Sequence, residues 1–146
     1  MKWLNSKWLV CSLFLFAGCG GSTGPLPTLS DKFHDIQVQT FNKSCIGSGC
    51  HDAATSAQKF IPCLLPDSSY SCLYNNKIQA NQGGPITFKK LVVPYQPDSS
   101  FLVYKLTKAN GSPDYGALMP NNNTGKLPQN QIDAIVSWIK RGAPND

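Results

Sequence analysis

A small, mostly α domain of three to four short helices, broken by one irregular insert, is the fold this sequence predicts. Three observations lead there. Ile132, Ile135, Val136 and Ile139 recur at i, i+3, i+4 and i+7, which lines one face of a helix. Ser30-Asp31 and Pro97-Asp98-Ser99-Ser100 each stand before an apolar segment, where a helix start belongs. Pro62, Pro66, Pro85 and the Gly83-Gly84 pair break up the middle of the chain. With 146 residues there is room for one modest domain.

The elements follow in order. Lys2 and Lys7 form a positive segment, and Trp8 to Ala17 is an apolar run interrupted only by Ser12. About 10 residues suit a signal peptide and are too few to span a bilayer. Phe16-Ala17-Gly18-Cys19 then resembles a bacterial lipobox, which implies cleavage of residues 1–18 and a lipid on the Cys19 sulfur. Ordinary signal cleavage, with Cys19 left as a thiol, is the rival reading; Cys11 is lost either way. Residues 19–30 read as a lipidated tether rich in Gly, Pro and Ser, with the folded domain in 31–146. About 11 tether residues reach at most ~35 Å. Each buried lipid methylene contributes roughly 0.8 kcal/mol, so two or three acyl chains hold a domain firmly at a membrane surface.

Within the domain, a first helix is expected from the Ser30-Asp31 cap to about Lys43, with Phe33, Ile36, Val38 and Phe41 on its apolar side. Asp52 to Lys59 reads as a short helix. Residues 61–86 read as a loop or weak hairpin. A helix through about Thr107 offers Phe101, Leu102 and Leu106 to the core. Residues 109–125 form a loop rich in Asn, Gly and Pro that holds Leu118-Met119-Pro120. Pro128 opens the last helix, and Gly142 stands where its stop belongs.

Composition narrows the function classes. The chain carries 13 basic and 8 acidic residues for a net charge of +5, and every acidic residue is Asp. Loss of Lys2 and Lys7 leaves +3. The basic residues are scattered, without the dense face interleaved with aromatics that a nucleic-acid binder shows. No hydrolase triad, catalytic carboxylate pair or phosphate loop is present.

Export places the cysteines beyond the reducing cytosol. Besides Cys19, the mature chain has Cys45, Cys50, Cys63 and Cys72. A Cys63–Cys72 disulfide would close a ten-residue loop in the insert and stabilise it by roughly 2.5–3 kcal/mol. Cys45 and Cys50 are followed at once by His51. Two cysteines and a neighbouring His are the attachment logic of a c-type haem: the thiols add across two vinyl groups, and the imidazole is held under the ring as an axial iron ligand. Four residues separate the cysteines here, against the usual two. Gly47 and Gly49 permit the tight conformations, positive φ among them, that let the spacer loop out.

A second axial ligand is an independent check. After signal removal, Met119 is the one remaining Met, and it lies in a polar loop where core filling explains it poorly. A Met packed in a small apolar cluster is the plainer alternative. His34, the one other His, is a rival ligand, although a surface or capping role fits its place on the first helix better.

Four segments then resemble a short, exported bacterial cytochrome c domain, including the planctomycete-type cytochromes: 41–45 leading into Cys50-His51, 93–100, 118–120 and 132–144. The resemblance implies a cytochrome c-like fold, three to four short helices around one haem, with the last helix against the first. By that likeness Cys45 and Cys50 are the thioether anchors, His51 the proximal iron ligand and Met119 the distal one. The disulfide-bearing insert and the long spacer depart from the pattern. The expected function is electron transfer at the cell envelope, by a monohaem lipoprotein facing the periplasm or exterior. With both axial positions filled it is a carrier rather than an enzyme, meeting redox partner proteins but no small-molecule substrate. A non-haem, disulfide-stapled lipoprotein that binds or supports envelope components is the alternative, with Cys45–Cys50 bridged and His51 incidental. A haem enzyme or gas sensor and a zinc site built on Cys45, Cys50 and His51 are the lesser ones.

Overall fold

The computed structural model describes residues 24–47, 50–51, 64–75, 88–109, 116–121 and 125–146. These residues are 47% helical and include no strand, in line with the mostly α expectation. No helix among them is long and apolar enough to cross a membrane. The expected signal peptide, the lipidated Cys19 and the Asp52–Lys59 helix lie outside the described residues, as does Cys63 and therefore its pairing with Cys72.

The first helix runs continuously through three segments, Phe33–Ile36, Gln37–Phe41 and Asn42–Ser44, the middle one wound as a π-turn. Its buried side is Phe33, Ile36, Gln37, Thr40 and Phe41, an i, i+3, i+4, i+7, i+8 stripe that includes two polar residues. Val38, expected in the core, is instead 44% exposed, because it sits on the opposite face from Phe33. The expected Ser30-Asp31 cap is also corrected: Lys32 occupies the cap position and makes no side-chain cap bond. The opening amides are taken from the other end of the chain. Phe33 N–H donates to Asp146 Oδ1 at 2.9 Å, and His34 N–H to the Asp146 carbonyl at 2.8 Å. A carboxylate at a helix N-terminus is favoured by both the hydrogen bonds and the helix dipole.

Asp31 serves the last helix, Gln129–Lys140, instead. Its Oδ2 accepts from Ser137 Oγ at 2.5 Å and from Arg141 Nε at 3.0 Å, while Arg141 Nη2 reaches Asp146 at 3.1 Å. The Ser137 hydroxyl and the Arg141 charge hold the Asp31 carboxyl below its ordinary range. The Phe33 amide and Arg141 do the same for Asp146. Upstream, Leu29 already packs on the core, and the Pro27 carbonyl accepts from Asn130 Nδ2.

Aromatic rings join these two helices. The Phe33 and Trp138 centroids lie 5.1 Å apart, and Tyr70 meets Phe33 edge-on at 5.2 Å. Trp138 is fully buried, its indole N–H satisfied by the Pro144 carbonyl. Ile132, Ile135 and Ile139 are buried as the periodicity requires, joined by Ala134 and Trp138, while Val136 is only half-buried. Pro128 precedes the helix by one residue. At the far end Gly142 adopts φ +100°, with Gly142 N–H donating to Ile139 and Ala143 N–H to Trp138, a Schellman stop. A Cβ at Gly142 would also come within 2.6 Å of the Tyr95 ring.

The insert is not simply a loop. Ser69–Asn75 is a helix, burying Ser69 and Leu73 and stacking Tyr70 against Tyr74. Ser, Tyr, Cys and Asn are weak helix formers, so packing against Phe33 supplies what propensity lacks. The remaining helix, Phe101–Thr107, follows a 3-10 turn at Pro97–Ser99. It buries Val103 and Leu106 rather than the expected Phe101 and Leu102, which are half-buried. Phe101 packs on Phe88 instead, with centroids 5.6 Å apart.

Candidate cofactor-attachment site

The loop that leaves the first helix carries Cys45, Cys50 and His51, and backbone hydrogen bonds fold it back on itself. Cys45 N–H and Ile46 N–H both donate to the Phe41 carbonyl, at 3.0 and 3.1 Å, so the loop starts from a firmly seated helix end. Cys50 N–H donates to the Gly47 carbonyl at 2.8 Å. His51 N–H then returns to the Cys45 carbonyl at 3.1 Å. The four-residue spacer thus brings the His51 backbone back against Cys45. Gly49 lies outside the described residues. Gly47 does not adopt a positive φ, and a Cβ there would meet nothing within 4 Å.

Both thiols of the pair are unbridged. Burial, and next the neighbouring Cys50 thiol, push the Cys45 thiol up to about 12. It therefore stays protonated at neutral pH and is a slow nucleophile and a slow partner in disulfide exchange. His51 is half-buried, and its carbonyl accepts from Leu64 N–H at 3.0 Å. Two thiols and an imidazole on one hydrogen-bonded loop can form two thioether bonds and one axial metal bond. Among the described residues no group of three or more His, Cys, Asp or Glu is arranged to hold a metal ion, so the zinc reading finds no geometry there.

Met119 belongs to a different element. It is half-buried and packs against the same apolar core that Cys45 and Ile46 touch. Met119 N–H donates to the Lys105 carbonyl at 2.8 Å, and Lys105 Nζ donates to the Ala117 carbonyl at 2.5 Å. One residue of the Phe101–Thr107 helix therefore latches the Met loop twice. Burial lowers the Lys105 pKa from its ordinary value. The Met119–Pro120 peptide is cis. His34 is solvent-exposed on the first turn of the first helix, where it serves the fold through its backbone amide. Cys72 lies half-buried on the Ser69–Asn75 helix.

Two contributors to the loop escape sequence reasoning. Gln37 donates from Nε2 to the Leu64 carbonyl and to Asn42 Oδ1, both at 2.8 Å. Lys105 holds the Met loop. The one visible signal for Gln37 was its phase, four residues from Phe33 and four from Phe41, where an apolar residue is expected. Nothing in the sequence marks Lys105 among the other lysines. Compared with known proteins, the chain matches no family model, no curated protein and no solved structure.

Proposed function

We propose that the chain is a lipid-anchored electron carrier of the bacterial cell envelope, holding one haem c through thioethers at Cys45 and Cys50. His51 and Met119 serve as its axial ligands. The observation that supports this reading is the closed Cys45–His51 loop, in which the His51 backbone returns to Cys45 and both thiols are unbridged. The donor chemistry fits the group: two thiols for covalent attachment to vinyl groups, an imidazole next in sequence, and a thioether at the edge of the same core. When bound, the haem iron supplies a one-electron couple.

The chain's own residues do the rest. The hydrogen bond from His51 N–H to the Cys45 carbonyl ties the His51 backbone to the attachment point. The double latch from Lys105 ties the backbone of the Met119 loop to the Phe101–Thr107 helix. With an imidazole and a thioether committed to the metal, no position is left for substrate, so partners are redox proteins that approach an exposed edge. Cys19 carries the lipid that keeps the domain at the membrane, and Cys63–Cys72 closes the insert.

The test is expression in a host able to attach haem c, followed by acid-acetone extraction. A reduced α-band that survives extraction is expected, and a colourless protein overturns the reading. In that event, mass spectrometry that finds Cys45–Cys50 bridged would identify the disulfide-stapled lipoprotein instead. Met119→Ala is expected to keep the haem and lose the weak near-infrared sulfur-to-iron band. An unchanged spectrum would remove Met119 from the iron.

A further inference from the structure

We propose that Gln37 is the positioning residue for His51, acting through the backbone of Leu64; its meaning for the haem rests on the function proposed above. Five links form a closed circuit. The Gln37 side chain donates to the Leu64 carbonyl. Leu64 N–H donates to the His51 carbonyl, and His51 N–H donates to the Cys45 carbonyl. Cys45 N–H donates to the Phe41 carbonyl, one turn along the helix from Gln37 itself. Within the helix, Asn42 N–H closes the circuit on the Gln37 carbonyl, the long bond of the π-turn.

His51 is thus held at both backbone ends. Its amide is tied to the anchor cysteine, and its carbonyl is tied to a residue thirteen positions on. That second tie brings residues 51 and 64 together across the start of the insert. Among the described residues, Gln37 is the donor that fixes the Leu64 carbonyl to the first helix. Remove the amide donor and the 51–64 clasp loses its attachment to the helix.

The side chain is built for this rather than for filling space. Gln37 is only 4% exposed and stands on the core stripe, where an apolar residue would pack at no polar cost. Its orientation is fixed, because the Leu64 carbonyl can only accept; a flipped amide would set oxygen against oxygen. Both Nε2 protons are used, on Leu64 and on Asn42. Among the described residues Oε1 finds no hydrogen-bond partner, although it is buried. A buried amide that forgoes half its bonding is retained for what its donor end holds. Holding the backbone of a ligating His at both ends confines where its ring can reach, and ligand placement tunes a bound metal.

Gln37→Met keeps the length and removes both donors. In the holoprotein, amide exchange at Leu64 should speed up by about tenfold or more. The hyperfine-shifted His51 ring resonances should move, and the reduction potential should shift. Ile36→Val, a neighbouring core change, should lower the melting temperature without moving those three signals. Asn42→Ala, at an exposed position, frees the amide on one side only and should give a smaller change of the same sign. If Gln37→Met leaves Leu64 exchange and the His51 resonances where Ile36→Val leaves them, the positioning role is overturned. Should the wild-type chain prove colourless, the haem reading fails by itself. Leu64 exchange and the diamagnetic shift of the His51 ring in that chain then decide the role of Gln37 separately.

Discussion

The first and last helices meet through rings and isoleucines that water does not reach, whereas the Cys45–His51 loop beside them is half-buried and held by backbone hydrogen bonds. Trp138, Phe41, Ile36 and Ile135 are almost completely enclosed; Cys45, Cys50, His51 and Met119 are not. The first region draws its stability from apolar area and dispersion, which are insensitive to small angular errors. The second depends on directed bonds, each worth only about 0.5–1.5 kcal/mol net but exacting in geometry. Under the proposed function this division is useful: one part supplies stability, and the other supplies placement at an accessible edge.

The division is open to direct attack. Trp138→Ala empties the centre of the packed region and should cost about 3–5 kcal/mol, read by thermal or denaturant melting. An equal loss from changes in the Cys45–His51 loop would erase the contrast. Gly142→Ala forces a Cβ into a left-handed position, and should cost about 1–2 kcal/mol. The exposed Tyr95 ring can swing aside from the new methyl, so the backbone carries most of that cost.

Asp31 and Asp146 test the polar edge of the packed region through pH. Both are held below the ordinary 3.8 of an aspartate. Their folded forms therefore bind protons less readily than the unfolded chain. The stability they contribute is present in full above about pH 4 and is lost as pH falls through the lowered folded values. Asp146→Asn should flatten part of that acid dependence while costing no more than about 1 kcal/mol at neutral pH, since the pair with Arg141 is partly solvated. Trp138→Ala should leave the acid dependence in place. The smallest effect is expected at Gly47→Ala, within about 0.5 kcal/mol, since open space surrounds that Cα. A large loss there would show that the spacer is more tightly shaped than its hydrogen bonds indicate.

Much of the scaffold was legible before any coordinates. The last helix follows from the spacing of Ile132, Ile135, Val136 and Ile139, and its stop from Gly142, because both signals are local. What escaped was non-local. The first helix has a cap, but Asp146 supplies it from 113 residues away in place of the adjacent Asp31. Val38 is apolar but out of phase, and the helix buries Gln37 and Thr40 in register with Phe33 and Phe41 instead. The Ser69–Asn75 helix was hidden by weak propensity and flanking prolines. At the candidate site the Cys-Cys-His grouping and Met119 were visible as residues. Gln37 and Lys105, which hold those groups in place, were visible only once the chain was folded.

The seat of Asp146 on the first helix has a bearing on how the chain is made. A ribosome releases the amides of Phe33 and His34 long before it adds the residue that receives them. Until synthesis has run its full course past Arg141, the opening turn lacks its acceptor and Trp138 its place. The seating of this turn is therefore among the last events of the chain's synthesis rather than among the first.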